Sequence, residues 1–321
     1  MFGITIRRTA GAIALAAVAQ VAAANWELID LGALGGRSSH ASAVTAGGLV
    51  TGCAETADGN IHAFIHDGDA MRDLGPGSTV AGNSCGLAIN DQGVVAGRAA
   101  SGELVVWSNG GVTGLGIRGN VGGINGSGVV VGSRDEASST RAFVFRDGAV
   151  VDLVDPSIRS EATAINERGD IVGTANGRAF IHDGALRDLG TLGGNNSVAR
   201  GLNARAEVVG QASNEFGQPT PFIHRDAMQA LPGPSYSSAI AINNRGQVIG
   251  SGEGIHGYLV DGETVATLGS FPAVTARGWR KLVPTGINDR GWIVGTGENP
   301  EGDLRAFILK PVAVKKPRRV Q

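Results

Sequence analysis

Residues Ala88-Ile89-Asn90-Asp91-Gln92-Gly93-Val94-Val95-Ala96-Gly97 carry a pattern that returns along the chain. A small residue, an aliphatic one and Asn lead into two polar residues and Gly; two or three apolar residues and a second Gly follow. Ala164-Ile165-Asn166-Glu167-Arg168-Gly169 and Gly286-Ile287-Asn288-Asp289-Arg290-Gly291 are further copies. Seven copies end at Gly52, Gly97, Gly132, Gly173, Gly210, Gly250 and Gly295, 35 to 45 residues apart; the first has Thr45 in place of Asn. A period of this length marks a solenoid, a propeller or another array. Glycine supplies 52 of the 321 residues without a period of three, and proline only 11, which excludes collagen.

Each repeat reads as four short strands. The first ends at Ile-Asn and the second is the apolar run after the turn. The third contains Ala-Phe, as in Ala63-Phe64-Ile65 and Ala179-Phe180-Ile181. The fourth ends in Asp-Leu-Gly, as at Asp73-Leu74-Gly75, and Asp-Gly turns such as Asp67-Gly68 and Asp183-Gly184 join the last two. No segment after residue 24 has a helical period, so the chain is expected to be all-β. Four antiparallel strands in about 40 residues, seven times over, predict a seven-bladed β-propeller.

The seventh repeat stops after its third strand at Pro311, while Trp26-Glu27-Leu28-Ile29-Asp30-Leu31-Gly32 has the fourth-strand pattern with no repeat before it. The N-terminal strand should therefore complete the last blade, close the ring and hide both edges. Charge pairing points the same way. His62, Arg141 and Arg178 precede Ala-Phe, and Asp73, Asp152 and Asp188 follow across the hairpin. Arg305 has no downstream Asp, which makes Asp30 its expected partner.

Residues 1–24 place Arg7 and Arg8 before a short apolar run ending in Val21-Ala22-Ala23-Ala24, the layout of a secretory signal peptide. The run is too short to span a bilayer, and no later segment could. The mature protein, residues 25–311 plus a basic disordered tail at 312–321, is expected to be secreted, periplasmic or extracellular, and monomeric. Cys53 and Cys85 are the two cysteines, and export would allow a disulfide between neighbouring repeats. Twenty-seven basic against 29 acidic residues give a net charge of −2, and nothing there points to nucleic acid.

Ile61-His62-Ala63-Phe64 and Asp188-Leu189-Gly190-Thr191-Leu192-Gly193-Gly194 resemble the bacterial extracellular repeat family named for its His-Ala-Phe (HAF) signature. The resemblance spans residues 25–311, although most copies here carry Arg or Thr at the histidine. It implies an exported repeat protein and carries no assigned activity.

The strand before Asn should be innermost. Two residues before Asn stand Ala43, Ala88, Gly123, Ala164, Gly201, Ala241 and Gly286, and two further back the residues are mostly small, as strands converging on an axis require. On this reading the inner wall lacks acids and histidines, so no catalytic residue, metal ligand or cofactor is assigned. The Asn side chains are read as caps of their own turns. Arg168, Arg205, Arg245 and Arg290 occupy the third turn position in the last four repeats and could crown one mouth of the channel, where Arg suits carboxylate or phosphate. At the other mouth, the connection from Ser270 to Pro284 carries Trp279 and Arg280, and Tyr236 and His40 lie in equivalent connections. These residues form a second candidate surface for a polysaccharide or protein ligand. A non-enzymatic binding propeller is the expected function. Two alternatives stay open: a polysaccharide hydrolase or lyase using loop carboxylates such as Glu55, Glu136, Glu215 and Glu298, and a purely structural surface protein.

Overall fold

The computed structural model describes residues 26–79, 81–252 and 254–312. The expected signal segment 1–24 and nearly all of the expected basic tail lie outside these residues. The described residues form antiparallel strands in six sheets. Gly35–Val44, Val50–Thr56, Ile61–His66 and Met71–Asp73 form one four-stranded sheet; others begin with Ser160–Ile165, Gly193–Leu202 and Ser237–Ile242. In the last, Arg280–Ile287, Ile293–Glu298 and Leu304–Pro311 are joined by the N-terminal Trp26–Asp30, which pairs with Leu304–Pro311 in the register Leu28 to Leu309.

The remaining sheet has seven strands, from Cys85–Ile89 to Ala149–Asp152. Its long strand Gly111–Ile124 pairs with Glu103–Ser108 through its first half and with Val130–Asp135 through its second. The sequence pattern predicted two strands here. The interval from Gly97 to Gly132 is the shortest between repeats, so the strand runs on where other repeats insert a loop. The longest connection departs in the opposite sense from the all-strand expectation. It folds into single helical turns at Leu268–Ser270 and Pro272–Thr275, which bury Phe271 and Val274.

First strands of successive repeats lie side by side, and Arg280–Ile287 lies against Gly35–Val44 again. Small residues make this approach possible: a Cβ on Gly201 would lie 3.0 Å from the Ala241 Cα. Between sheets, the third-strand aromatics Phe64, Phe143, Phe180, Phe222, Tyr258 and Phe307 are all 0–1% exposed and fill the core. Each such side chain contributes about 1.5–3 kcal/mol through burial.

Two hydrogen-bond series run between successive repeats. Every Asn of the turn caps its own turn, as expected: the Asn90 carboxamide oxygen accepts the Val94 N–H at 3.0 Å. Its Nδ2 also donates across the boundary to the next turn. Asn90 donates to the Asn125 carbonyl, Asn125 to Asn166, Asn166 to Asn203, Asn203 to Asn243, Asn243 to Asn288 and Asn288 to Thr45, at 2.9–3.4 Å. The second series runs through serine. Ser84 Oγ accepts the Ala63 N–H at 2.9 Å and donates to the Gly75 carbonyl at 2.6 Å. Ser197 does the same with Ala179 and Gly190, and Ser39 with Ala306 and Gly32. The Asp-Leu-Gly motif thus presents its glycine carbonyl to a serine of the next repeat, while its Asp caps the same glycine N–H.

His62–Asp73 at 3.0 Å, Arg178–Asp188 at 3.1 Å and Arg141–Asp152 at 3.7 Å form the expected cross-strand pairs. Arg305 does not reach Asp30. Its ion pair is with Asp303 at 3.8 Å, in the turn just before its own strand, which is closer in sequence and already oriented by the Asn299 cap. Cys53 and Cys85 are disulfide-bonded, joining the second strand of the first repeat to the first strand of the second.

Candidate functional site

A β-bulge interrupts every first strand at the same place, three residues before the turn Asn (Thr45 in the first copy). In the first repeat Ala41 pairs with Gly52 and Ala43 with Thr51, leaving Ser42 bulged; corresponding breaks occur in the other six. The repeat-ending glycine follows from this bulge. A Cβ at Gly52, Gly173 or Gly295 would lie 1.9–2.1 Å from the carbonyl oxygen of His40, Glu161 or Val283. Bulges re-aim side chains. All seven bulged residues, Ser42, Leu87, Gly122, Thr163, Arg200, Ile240 and Thr285, line an axial cavity of about 440 Å³.

The cavity wall is therefore not the uniformly small, uncharged surface expected from strict alternation. Glu161 and Arg200 line it. Thr163 and Thr285 turn their hydroxyls to the carbonyls of Ala199 and Ala41 on neighbouring strands and serve the ring itself. Glu161 accepts from Thr140 Oγ1 at 3.2 Å. Arg200 is exposed and donates through Nε to Ser238 Oγ at 2.8 Å, and no carboxylate among the described residues pairs with it. A planar cation held at one end on the wall of this cavity suits bidentate capture of a carboxylate.

The opposite end of the axis, ringed by the Asn turns, opens on about 300 Å³. Five of the six turn Asn residues line it, with Asp91, Glu167, Asn244, Asp289 and a set of aliphatic side chains, and the four arginines do not. These acids accept backbone N–H groups of the preceding turn: Glu167 from Gly126, Asp289 from Asn244 and Asp91 from Gly47. The expected Arg crown does not form, because each guanidinium is held locally. Arg168 pairs with Asp170 at 2.5 Å and Arg205 with Glu207 at 2.5 Å. Arg245 bonds the Gln247 carboxamide at 2.6 Å, and Arg290 lies over the Trp292 ring at 5.4 Å. The partner stands two residues after each Arg, immediately before the second strand.

The second candidate surface is also redistributed. Trp279 is only 6% exposed and packs edge-on against Phe307, so it belongs to the core and not to a recognition surface. Its connection doubles back through a helical turn and pushes the indole inward. Arg280 and Lys281 both bind Glu298, at 2.6 and 2.8 Å. His40 bonds Thr296 Oγ1 across the boundary between the last and first repeats. Tyr236 remains exposed.

Three of the four loop carboxylates, Glu55, Glu136 and Glu298, are occupied separately. Glu136 sits between Arg134 and Arg141. The Arg37 N–H and the Ser38 hydroxyl hold Glu55 below the ordinary carboxylate range, and Lys281 with Arg280 does so for Glu298. A general acid in glycoside cleavage needs the opposite shift. Among the described residues no group of three or more His, Cys, Asp or Glu side chains could hold a metal ion.

No protein-family model matches the chain, and no curated protein sequence matches it. Solved structures do match. YCF48 bound to a D1 peptide superposes with a TM-score of 0.52 at 10% identity, covering 90% of this chain and 97% of that one. The WD40 beta propeller domain of Doa1 gives 0.49 at 15% identity, covering 88% and 97%. The Aleuria aurantia lectin, in complex with Fucα1-6GlcNAc, gives 0.39 at 10% identity, covering 87% and 98%. At such identities the likeness concerns the fold alone: an all-β chain with propellers among its structural neighbours.

Proposed function

We propose that the chain is an exported seven-bladed β-propeller of the HAF-repeat kind that binds an acidic glycan, wall component or protein partner in its axial cavity. Seven equivalent turns, six led by Asn and one by Thr45, and seven bulged inner strands support the count, with Gly111–Ile124 serving as the last strand of one blade and the first of the next. The Cys53–Cys85 disulfide fits an oxidising compartment and so supports export. The observation that carries the ligand reading is Arg200, a cation without a carboxylate partner aimed by its bulge into the cavity, while the turn arginines at the other end are tied down.

A thermal-shift titration of the purified protein against oligouronates and their neutral counterparts tests this. Ligand at about 100 times its Kd should stabilise the protein by about 2.7 kcal/mol and raise the midpoint by several degrees. Arg200→Ala should weaken binding at least tenfold, as loss of charge-assisted hydrogen bonds predicts. The Arg168, Arg205, Arg245, Arg290→Ala variant should still respond. A shift abolished only in that quadruple variant would move the site to the turn face, and no shift with any acidic ligand would favour a structural role for the repeats.

A further inference from the structure

Phe216 and Tyr236 are the only exposed aromatic side chains among the described residues, 77% and 53% accessible, and both belong to the fifth repeat. Phe216 tips the turn between the second and third strands, and Tyr236 stands in the connection leaving that sheet. A pocket of about 170 Å³ lies between Tyr236 and the base of the turn that carries Phe216; Asn214, Gln218, Thr220, Ser235 and Tyr236 line it with three prolines, and Phe216 stands outside the lining. No charged residue lines it.

The site is held in shape before any ligand arrives. Asn214 Oδ1 accepts the N–H groups of Phe216 and Gln218 at 3.0 and 2.9 Å, fixing the turn that carries the phenyl ring. Tyr236 adopts φ 58°, a left-handed conformation uncommon for a bulky residue, immediately before Ser237, which is fully buried and donates to the Pro234 carbonyl at 2.6 Å. Such backbone strain persists where the surroundings over-determine it and gathers at binding sites. Prolines at three lining positions lower the entropy lost on binding.

We propose that this pocket is a second binding site, distinct from the axial cavity, for one neutral pyranose residue. Apolar ring faces receive the C–H face of a sugar, and the carboxamide of Gln218 with the hydroxyls of Thr220, Ser235 and Tyr236 matches its hydroxyl groups. The absent charge argues against an acidic or basic ligand. The volume is well below that of a drug-sized site, typically about 300–1,000 Å³, and the pocket is compact where a proline-rich peptide needs an extended groove.

Saturation-transfer NMR of the full chain with a panel of neutral methyl pyranosides, followed by calorimetry with their oligomers, tests the proposal. At least one pyranoside should receive saturation. Phe216→Ser with Tyr236→Gly, which removes both rings and suits the left-handed backbone, should weaken it at least tenfold. Arg200→Ala should leave it unchanged, so failure here is separable from failure of the axial site. Absence of saturation across the panel, undiminished binding in the double variant, or competition of the sugar by a proline-rich peptide that binds more tightly would overturn it.

Discussion

Gly173→Ala should destabilise the protein by about 3–5 kcal/mol, among the largest effects of any single methyl group added to this chain. The added Cβ would lie 1.9 Å from the Glu161 carbonyl oxygen and 2.9 Å from the Ala162 Cα, both backbone atoms of the bulged strand. No rotamer relieves that clash. The bulge must flatten or the second strand must withdraw, and either displaces Thr163 from its bond to Ala199 on the next strand. Gly148→Ala is the control. Gly148 has φ 78° and nothing within 4 Å of its virtual Cβ, so it should lose only the 1–2 kcal/mol, roughly, of a left-handed alanine. Chemical denaturation of the two variants side by side measures the difference. Equal losses would mean that these repeat glycines serve chain flexibility and not the bulge.

The same glycines show how far the sequence could be read. Strand number, hairpins and the partners of His62 and Arg178 depend on residues within a dozen positions of one another, and local patterning specifies them. Strict alternation along the inner strand placed Ala43 and Ala41 toward the axis and hid Ser42, so Arg200 and Glu161 were missed. The signal was present: Gly within an apolar strand often marks a bulge, and Gly52, Gly97 and their equivalents stand opposite one in all seven repeats. The Asn turns were half legible. Capping of the local turn follows from sequence, but the Nδ2 bond to the next repeat depends on how close two turns come. Trp279 and the turn arginines were misplaced for a related reason. Burial of an indole in a long connection, or pairing of Arg168 with Asp170, is decided by the path of the backbone and not by residue type.

Replacing Cys53 and Cys85 by Ser should cost about 3–4 kcal/mol in the loop-entropy account, since the cross-link spans 32 residues. More informative is where the loss falls. Six turn asparagines pass a hydrogen bond to the next repeat, and the junction between the first and second repeats is left out. Thr45 has no amide to send to Asn90; its hydroxyl oxygen accepts the Leu49 N–H instead. The disulfide crosses that same junction, from Val50–Thr56 to Cys85–Ile89. The covalent bond thus stands where the repeating Asn hydrogen bond is missing, alongside the Asp91 contact to the Gly47 N–H at 3.1 Å and the Ser84 bonds to Ala63 and Gly75. Thr45→Asn should then restore the seventh bond and return about 0.5–1.5 kcal/mol. The gain should be larger in the Cys-free background than in the native chain, because the two changes act on one junction and the covalent link already holds it in the native chain. Hydrogen exchange localises the effect. Loss of the disulfide should raise exchange at the Cys85–Ile89 and Val50–Thr56 amides before it does so at Ser237–Ile242, across the ring. Uniform exchange across all sheets, or Thr45→Asn gains equal in both backgrounds, would mean that the disulfide constrains the unfolded chain and does not hold this seam.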